Sequence, residues 1–452
     1  MALKVIKISR VSPATASVDP LIVPLSFFDL QWLKLNPTEQ VFFYKLTESS
    51  SSRDVFYSSI LPKLERSLSL ILTHFRLFTG HLKWDSQDPK PHLVVLSGDT
   101  LSLTVAETDA DFSRISGRGL RPELELRPLI PELPIYSDSG AVVSLQVTLF
   151  PKQGFSIGTT AHHVVLDGKT AEKFNKAWAH TCKHGTIPKI LPTVLDRSVV
   201  NVPARLEQKM LELLPYLTED DKENARTLKL PPVKEINAKD NVLRITIEIS
   251  PENIEKLKER AKKESTRAEL HLSTFVVTFA HVWTCMVKAR SGDPNRPVRF
   301  MYAADFRNRL EPPVPVTYFG TCVLAMDFYK YKAKEFMGED GFVNTVEILS
   351  DSVKRLASQG VESTWKVYEE GTKTMKWGTQ LLVVNGSNQI GMYETDFGWG
   401  RPIHTETMSI YKNDEFSMSK RRDGIGGVEI GISLKKLEMD TFLSLFYNWI
   451  GN

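Results

Sequence analysis

The sequence has too few cysteines for a disulfide framework and no apolar run long enough to span a membrane. Its three cysteines, Cys182, Cys285 and Cys322, are odd in number and widely spaced among 452 residues, which excludes a disulfide scaffold and a paired zinc signature. No run of about 18 apolar residues occurs, and the N-terminal MALKVIKISRVSP alternates apolar and basic residues where a secretory signal needs a continuous apolar stretch. We therefore expect a first strand at the N-terminus, a cytoplasmic location and no membrane partner.

The sequence also lacks an excess of charge of either sign. Its 57 basic and 54 acidic side chains leave a net charge of +3, which gives little electrostatic reason to bind nucleic acid or an anionic lipid surface. Hydrophobic residues make up 42% and charged residues 25% of the chain, values that are ordinary for globular domains. The composition predicts a globular protein with small-molecule partners, and the length suffices for two large domains.

Helix and strand patterns are mixed along the chain, which predicts the α/β class. In the first half, helical spacing runs through residues 54–80, and alternation at 143–149 followed by PKQG predicts a hairpin with 154–161. An amphipathic helix follows Gly168. The second half adds a strand VLRITIEI, a charged helix ENIEKLKERAKKE, an apolar helix from about Ser273 and a late hairpin ending in VEIGISL. A proline-rich stretch places a crossover linker at 187–210, between domains at 1–186 and 211–452.

The stretch AHHVVLDGK at 161–169 concentrates polar residues at a predicted strand-to-helix turn. It allows three interpretations: a polar strand end followed by an ordinary Asp167–Gly168 turn, a metal site, or a catalytic base with an orienting carboxylate. A metal site needs third and fourth ligands, and the remaining histidines show no paired ligand spacing. We therefore expect no metal.

Strand alternation separates the two adjacent histidines. His163 shares one face with Thr159 and Ala161, whereas His162 shares the other with Thr160, because successive side chains of a strand point to opposite faces. Only one of the two histidines can therefore face a given site. A neutral imidazole there could take a proton from an attacking alcohol or amine.

HHVVLDG at 162–168 together with DFGWG at 396–400 resembles the plant BAHD acyltransferases, whose hallmarks are an HxxxD motif near the middle of the chain and a DFGWG motif near its C-terminus. A kinase interpretation of DFG fails, because no HRD sequence and no matching glycine-rich loop accompany it. Further segments similar to the family cover the whole chain: PLSFFD at 24–29, LERSLSLILTHFRLFTGHL at 64–82, LPTVLDRSVV at 191–200, STFVVTFAHVWTCM at 273–286 and DFRNRLEPPVPVTYFGTC at 305–322.

The resemblance implies a role for each motif residue. His163 matches the family's general base, which takes the proton of the acceptor hydroxyl. Asp167 matches an aspartate that points away from the site and forms a salt bridge with an arginine, here Arg307, so that Asp167 and Gly168 belong to the turn. The remaining motif residues match a structural loop remote from the reacting atoms, namely Asp396, Phe397, Gly398, Trp399 and Gly400. No acyl-enzyme is implied, and we expect the three cysteines to be buried small hydrophobic residues.

The resemblance also implies a fold like that of chloramphenicol acetyltransferase, with two similar-sized α/β domains, mixed β-sheets and a solvent channel between the domains. Acyl-CoA is then a co-substrate, no cofactor is tightly bound, and the protein is a monomer. Ser273 and Thr274 open a predicted helix whose free N–H groups could bind a CoA phosphate. An ordinary N-cap role for Ser273 is the alternative.

YFGTC at 318–322 is similar to the YFGNC of the subgroup that acylates anthocyanin and other flavonoid glucosides, with Thr321 in place of the usual asparagine. The resemblance therefore implies transfer of a malonyl group from malonyl-CoA to the 6-hydroxyl of a glucose on a flavonoid or other phenolic. A hydroxycinnamoyl-CoA donor is the alternative. A non-catalytic phenolic or CoA binder and a CoA-thioester hydrolase are hypotheses of other classes. Two departures from the subgroup bear on the substrates: residues 386–389 read GSNQ where Gly-Ser-Pro-Arg is common, and Arg76 stands where proline is usual.

Overall fold

The computed structural model describes residues 2–15, 19–47, 50, 52–85, 87–191, 193–217, 226–232, 236, 241–376, 378–412 and 414–450. Residue 192 of the predicted linker, and residues 218–225, 233–235 and 237–240 at the start of the predicted second domain, lie outside the described residues. The domain limits of the sequence analysis stay a prediction. In the described part of the chain, no helix is both long and apolar enough to cross a membrane.

The first half of the chain forms a mixed sheet around the predicted hairpin. Its strands in spatial order are β1 (Lys4–Val11), β6 (Leu101–Glu107), β9 (Val143–Phe150), β10 (Gly154–Ala161), β3 (Thr38–Lys45) and β15 (His404–Thr407). β9 and β10 pair antiparallel over their full length, which confirms the hairpin, whereas β6 and β9 run parallel. β10 lies between β9 and β3, so the chain that follows Ala161 leaves from the interior of the sheet. A small sheet beside it contains β2 (Leu21–Pro24), β5 (His92–Val95), β4 (His81–Lys83) and β8 (Ser139–Ala141).

The second half forms another mixed sheet. Its strands in spatial order are β13 (Val323–Lys332), β12 (Pro297–Asp305), β14 (Gln380–Gly386), β16 (Glu415–Ser419), β17 (Val428–Lys435), β11 (Val242–Ile249) and β7 (Arg121–Pro122). The predicted strand at 242–249 and the late hairpin are confirmed, since β16 pairs antiparallel with β17. The structure is therefore α/β with mixed sheets in two domains, as predicted.

The two sheets exchange short strands. β15, late in the chain, pairs with β3 of the first sheet, and β7, early in the chain, pairs with β11 of the second. The buried guanidinium of Arg244 on β11 contacts Glu406 on β15 at 3.0 Å and Glu123 at 2.7 Å. These contacts join the two halves of the molecule, and nothing in the local sequence pattern indicates them.

The helices of the described residues pack on the sheets and between them. They are α1 (Phe27–Leu30), α2 (Arg53–Val55), α3 (Leu61–Leu72), α4 (Phe112–Ile115), α5 (Gly168–His184), α6 (Ala204–Leu213), α7 (Pro251–Glu264), α8 (Thr274–Ala289), α9 (Lys334–Met337), α10 (Gly341–Arg355), α11 (Val361–Lys373) and α12 (Lys436–Ile450). The predicted helices after Gly168, at ENIEKLKERAKKE and after Ser273 correspond to α5, α7 and α8.

The prediction of one helix through residues 54–80 is wrong at its C-terminal end. α3 ends at Leu72, and residues 76–79 form a separate 3₁₀ turn. The chain departs from helical geometry at Phe75, where φ is −109° and ψ is 43°. Both Phe75 and Phe78 pack edge to face on Phe174 and Phe319, so tertiary packing of aromatic rings overrides the helical pattern.

Candidate active site

The two histidines lie in the turn between β10 and α5. β10 ends at Ala161, and α5 begins at Gly168 with Asp167 as its N-cap. A cavity of about 920 Å³ opens between the two sheets at this turn. Its wall includes His163, Asp167 and Gly168 of the turn, together with residues of β3, β12, β14, β15 and β16.

His163 is the histidine that faces this cavity. Its ring stacks on the indole of Trp32, with ring centroids 4.8 Å apart and planes at 24°. Its Nδ1 is shut off from solvent, which leaves Nε2 for a substrate. Burial lowers the pKa of His163 below its ordinary value, against the opposing effect of the Asp167 carboxylate. The imidazole is therefore neutral at physiological pH and able to accept a proton.

His162 is fully buried on the other side of the strand end. Its Nδ1 accepts a hydrogen bond from the backbone N–H of Val164 at 3.3 Å. Burial lowers the pKa of His162 to about 3, so this ring is neutral too, but it is not part of the cavity wall. The structure thus separates the two histidines as strand alternation predicts.

Three protein groups hold the Asp167 carboxylate. Its Oδ1 accepts from the N–H of Thr170 at 3.0 Å, as an N-cap does. Its Oδ2 contacts Arg307 Nη1 at 2.7 Å and accepts from the N–H of Cys322 at 3.1 Å. Burial alone would raise the pKa of Asp167, but the Arg307 guanidinium and the two N–H groups hold it below its ordinary value. The structure therefore contains the ion pair between Asp167 and Arg307 that the resemblance implies.

Of the two hydroxyl residues proposed for CoA, the structure brings one to the cavity. Ser273 lies in the cavity wall, and its Oγ accepts from the N–H of Val276 at 3.3 Å as the N-cap of α8. Thr274 is not part of the wall. A CoA contact of Ser273 or Thr274 stays a prediction.

The DFGWG loop lies away from the cavity, whose wall includes none of its residues. Asp396 Oδ1 accepts from the N–H groups of Gly398 and Gly400 at 2.8 and 3.0 Å, and its Oδ2 contacts Lys183 of α5 at 2.6 Å. Gly398 and Gly400 have φ values of +110° and +95°, which L-residues rarely adopt.

Both aromatic side chains of the loop pack on the first domain. The ring of Phe397 packs edge to face on Tyr44 and Trp178, with centroids 5.6 and 4.9 Å apart. Trp399 packs on Phe155, and the ammonium of Lys63 lies over its ring. The loop thus fixes late residues of the chain against β3, β10, α3 and α5, outside the cavity wall.

The cavity wall combines apolar surface with cations that already have partners. Its apolar side chains include Trp32, Leu35, Phe42, Leu166, Phe275 and Ile390. Lys169 pairs with Asp305 at 2.6 Å, Arg307 pairs with Asp167, and Arg309 donates to the backbone carbonyls of Asp305 and Leu356. Each lysine or arginine in the wall therefore contacts at least one protein oxygen.

The cysteines are buried, as expected. Burial raises the pKa of Cys285 to about 12, so this thiol is not a nucleophile at neutral pH. Cys322 and Cys182 have raised pKa values for the same reason. Within the described ranges, no group of three or more His, Cys, Asp or Glu side chains could hold a metal ion.

Comparison with known proteins identifies the family. The model described as the Transferase family matches residues 1–448. The chain belongs to the BAHD acyltransferase family. This BAHD acyltransferase is 99% identical over 452 residues to agmatine coumaroyltransferase of Arabidopsis thaliana, with 100% of each chain covered. It is 47% identical to phenolic glucoside malonyltransferase 2 of the same organism over 99% of each chain. The crystal structure of vinorine synthase has the same fold as this BAHD acyltransferase, with a TM-score of 0.73, 19% identity and 98% of each chain covered.

The BAHD membership makes this protein an acyl-CoA-dependent acyltransferase, with an acyl-CoA as co-substrate and a small-molecule acceptor. The hypotheses of a non-catalytic binder and of a thioester hydrolase are therefore set aside.

The predicted malonyl donor and glucoside acceptor are wrong, whereas the hydroxycinnamoyl donor of the alternative agrees with the name of the 99% identical relative. We expected malonyl transfer to a glucose hydroxyl, with a hydroxycinnamoyl transferase acting on anthocyanin glucosides as the alternative. The 99% identical relative is an agmatine coumaroyltransferase, whereas phenolic glucoside malonyltransferases are 47% and 44% identical to this BAHD acyltransferase. The segment YFGTC, which suggested the glucoside subgroup, is not part of the cavity wall. This segment contacts the histidine turn instead. Its similarity to YFGNC therefore indicates the fold that the family shares and does not indicate the substrates.

Two wall residues that matter to the site were missed by sequence reasoning. Trp32, which stacks on His163, lies in an irregular stretch after α1 with no motif around it. Glu415 enters the wall at the start of β16, in a segment whose alternation predicts a strand but does not say which face meets a cavity.

Proposed function

We propose that this enzyme transfers a coumaroyl group from coumaroyl-CoA to the primary amine of agmatine. The observation that carries the proposal is the 99% identity, over the full length of both chains, with agmatine coumaroyltransferase. Identity at this level leaves only a few differing positions in the whole chain.

The cavity wall supports an aromatic acyl donor. A coumaroyl ring gains from burial against apolar and aromatic side chains, at about 25 cal/mol per Å² of apolar surface, and Trp32, Phe42 and Phe275 provide such surface. A malonyl group would instead need a cation for its free carboxylate. Each of the wall's cations, Lys169, Arg307 and Arg309, already contacts a protein oxygen, so a malonyl carboxylate would have to share its cation with that oxygen.

His163 acts as the general base in the proposed reaction. The free amine of agmatine attacks the thioester carbonyl carbon, a C–N bond forms, and Nε2 of His163 takes the proton that the nitrogen loses. The tetrahedral intermediate then breaks its C–S bond, and the departing CoA thiolate recovers the proton from the imidazolium. The products are an amide and CoA, and no acyl-enzyme forms. Asp167 and Arg307 hold the turn and do not touch the reacting atoms.

The acceptor carries a guanidinium at the end opposite its amine, and the wall contains the carboxylate residue Glu415. Glu415 is 8% exposed and lies in the cavity wall on β16. Ser417 of the same strand and Asn385, its partner on β14, also belong to the wall. Asn385 Nδ2 donates to Glu415 Oε2 at 2.9 Å, which orients the carboxylate. A guanidinium forms charge-assisted hydrogen bonds with a carboxylate in this setting. We therefore assign guanidinium recognition to Glu415.

Glu415→Gln is expected to lower kcat/KM for agmatine by about 10- to 100-fold, since a hydrogen bond between charged groups contributes about 1.5–3 kcal/mol. Steady-state kinetics with agmatine and with butylamine, which has the amine but no guanidinium, provide the measurement and its control. The KM for coumaroyl-CoA should stay at the parental value. An equal loss with both amines would contradict the role of Glu415.

The proposed function is tested with a matrix of purified enzyme, donors and acceptors. Coumaroyl-CoA and malonyl-CoA are each combined with agmatine, putrescine and a phenolic glucoside, and CoA release and product mass are recorded. We expect the largest kcat/KM for coumaroyl-CoA with agmatine. A larger value for any other pair would overturn the proposal.

A further inference from the structure

The residues Gly320, Thr321 and Cys322, here called the 320–322 segment, bond to the histidine turn through their own polar groups. The N–H of Cys322 donates to Asp167 Oδ2 at 3.1 Å. The carbonyl of Gly320 accepts from Arg307 Nη2 at 2.8 Å and from the hydroxyl of Thr170 at 3.1 Å. The segment therefore contacts both members of the ion pair and the first turn of α5.

Thr321 adds a direct contact with the candidate base. Its hydroxyl donates to the backbone carbonyl of His163 at 2.8 Å, and the residue is fully buried. Its own N–H donates to Asp29 Oδ1 at 3.3 Å. One side of Thr321 thus holds the backbone of His163, and the other is attached to the first domain.

The attachment to the first domain is itself buried and charged. Asp29 Oδ2 contacts Arg197 Nε at 2.8 Å and accepts from the N–H of Ser26 at 2.9 Å. Arg197 Nη1 donates to the carbonyl of Phe319, next to the segment, at 2.6 Å. A side chain at 320 would collide with Arg197 and with the hydroxyl of Tyr318, each 2.8 Å from the position of an added Cβ. The segment therefore has little freedom to move.

The imidazole of His163 depends on its backbone for its position. The ring stacks on Trp32, its Nδ1 is shut off from solvent, and hydrogen bonding to backbone groups of His163 itself and of Leu166 raises its pKa against the effect of burial. The place of Nε2 in the cavity then follows from the backbone geometry of His163, which Thr321 restrains.

We propose that Thr321 is a positioning residue for the acyl transfer: its hydroxyl fixes the carbonyl of His163 and, through it, the angle at which the imidazole meets the acceptor. The inference rests on the role of His163 as the general base in the proposed function. Nothing in it requires Thr321 to touch a substrate, since the residue is not part of the cavity wall.

Two matched pairs of variants test the proposal. Thr321→Val keeps the shape of the parental side chain and removes the hydroxyl, and Thr321→Ser and Thr321→Ala differ from each other only in that hydroxyl. Thr345→Val is a control, because Thr345 is as buried and its hydroxyl donates to a backbone carbonyl within α10, away from the cavity. Thermal melting shows which variants are folded.

Kinetics with coumaroyl-CoA and agmatine give the first readout. Thr321→Val should lower kcat by about tenfold, less than the 10²-fold that a 1 Å displacement of a catalytic group costs, with both KM values unchanged. Thr321→Ser should retain most of the activity that Thr321→Ala loses, and Thr345→Val should resemble the parent. A parental kcat in Thr321→Val, or equal kcat values in Thr321→Ser and Thr321→Ala, would overturn the proposal.

Crystal structures of the unliganded parent and of Thr321→Val give a second readout that needs no substrate. We expect the His163 carbonyl to move and the ring to leave its stacked position on Trp32. A His163 ring that keeps both its stacking and its place in the cavity would overturn the proposal even if the enzyme prefers other substrates. A parent that is inactive with coumaroyl-CoA and agmatine contradicts the proposed function alone, and the two failures are thereby distinguished.

Discussion

His163→Ala is expected to lower kcat by about 10²- to 10⁴-fold, the range that a positioned general base contributes. The ring faces the cavity with Nε2 available, and burial keeps it neutral. Neither the sheet nor α5 depends on this side chain, whose ring stacks on Trp32 and lies beside backbone groups of His163 itself and of Leu166. The variant should therefore fold, bind coumaroyl-CoA with parental affinity and fail in the chemical step. Steady-state kinetics measure kcat, and isothermal titration with the acyl-CoA measures its Kd separately.

His162 supplies the control for this experiment. It is adjacent in sequence and equally neutral, but buried away from the cavity, with Nδ1 accepting from the N–H of Val164. His162→Asn retains an acceptor near that position and should keep kcat close to the parental value in the folded fraction. If His163→Ala folds and turns over like the parent, or if His162→Asn suffers the larger loss of kcat, His163 is not the base.

Arg307→Met is expected to reduce the stability of the enzyme by about 3–5 kcal/mol, because removing one partner of a buried ion pair leaves the other charge uncompensated. Arg307 and Asp167 have side chains that are 8% and 2% exposed. Arg307 also donates to the carbonyl of Gly320, so the substitution affects the N-cap of α5 and the 320–322 segment together. Since 1 kcal/mol shifts the melting of a domain of about 200 residues by about 2–4 °C, the melting temperature should fall by about 10 °C.

Arg205→Met is the matched control for the ion pair. The guanidinium of Arg205 pairs with Glu362 at the surface, where the side chain is 67% exposed, and exposed pairs contribute about 0–1 kcal/mol. Thermal melting of both variants under the same buffer gives the comparison. A melting temperature of Arg307→Met no lower than that of Arg205→Met would show that the buried pair does not stabilise the turn.

Local patterns in the sequence predicted much of the fold. The hairpin of β9 and β10 followed from period-two alternation and a turn sequence, and α5 followed from the amphipathic spacing after Gly168. The spacing placed the end of this helix near His180, whereas α5 runs to His184. The exchange of β7 and β15 between the sheets could not be predicted. These strands are two and four residues long, and their pairing depends on contacts between residues distant in sequence.

The contrast between local patterns and contacts of distant residues also explains which parts of the site could be predicted. The HxxxD turn is one continuous stretch of sequence. Its position before a helix, and the fact that His163 and His162 face opposite sides, could therefore be predicted from the sequence. The wall around it comes from β3, β12, β14, β15 and β16, and a one-residue shift in any of these strands would exchange wall and buried faces. Glu415 and Trp32 therefore carried no signal, and the substrates were misjudged from a segment that contacts the turn.

The central claim, transfer of coumaroyl to agmatine, is tested most directly by competition in a single tube. Purified enzyme receives equal concentrations of coumaroyl-CoA and malonyl-CoA together with equal concentrations of agmatine and a phenolic glucoside, and early products are quantified by mass spectrometry. We expect coumaroylagmatine to be the dominant product and to disappear with His163→Ala. A malonylated glucoside as the dominant product would contradict the claim.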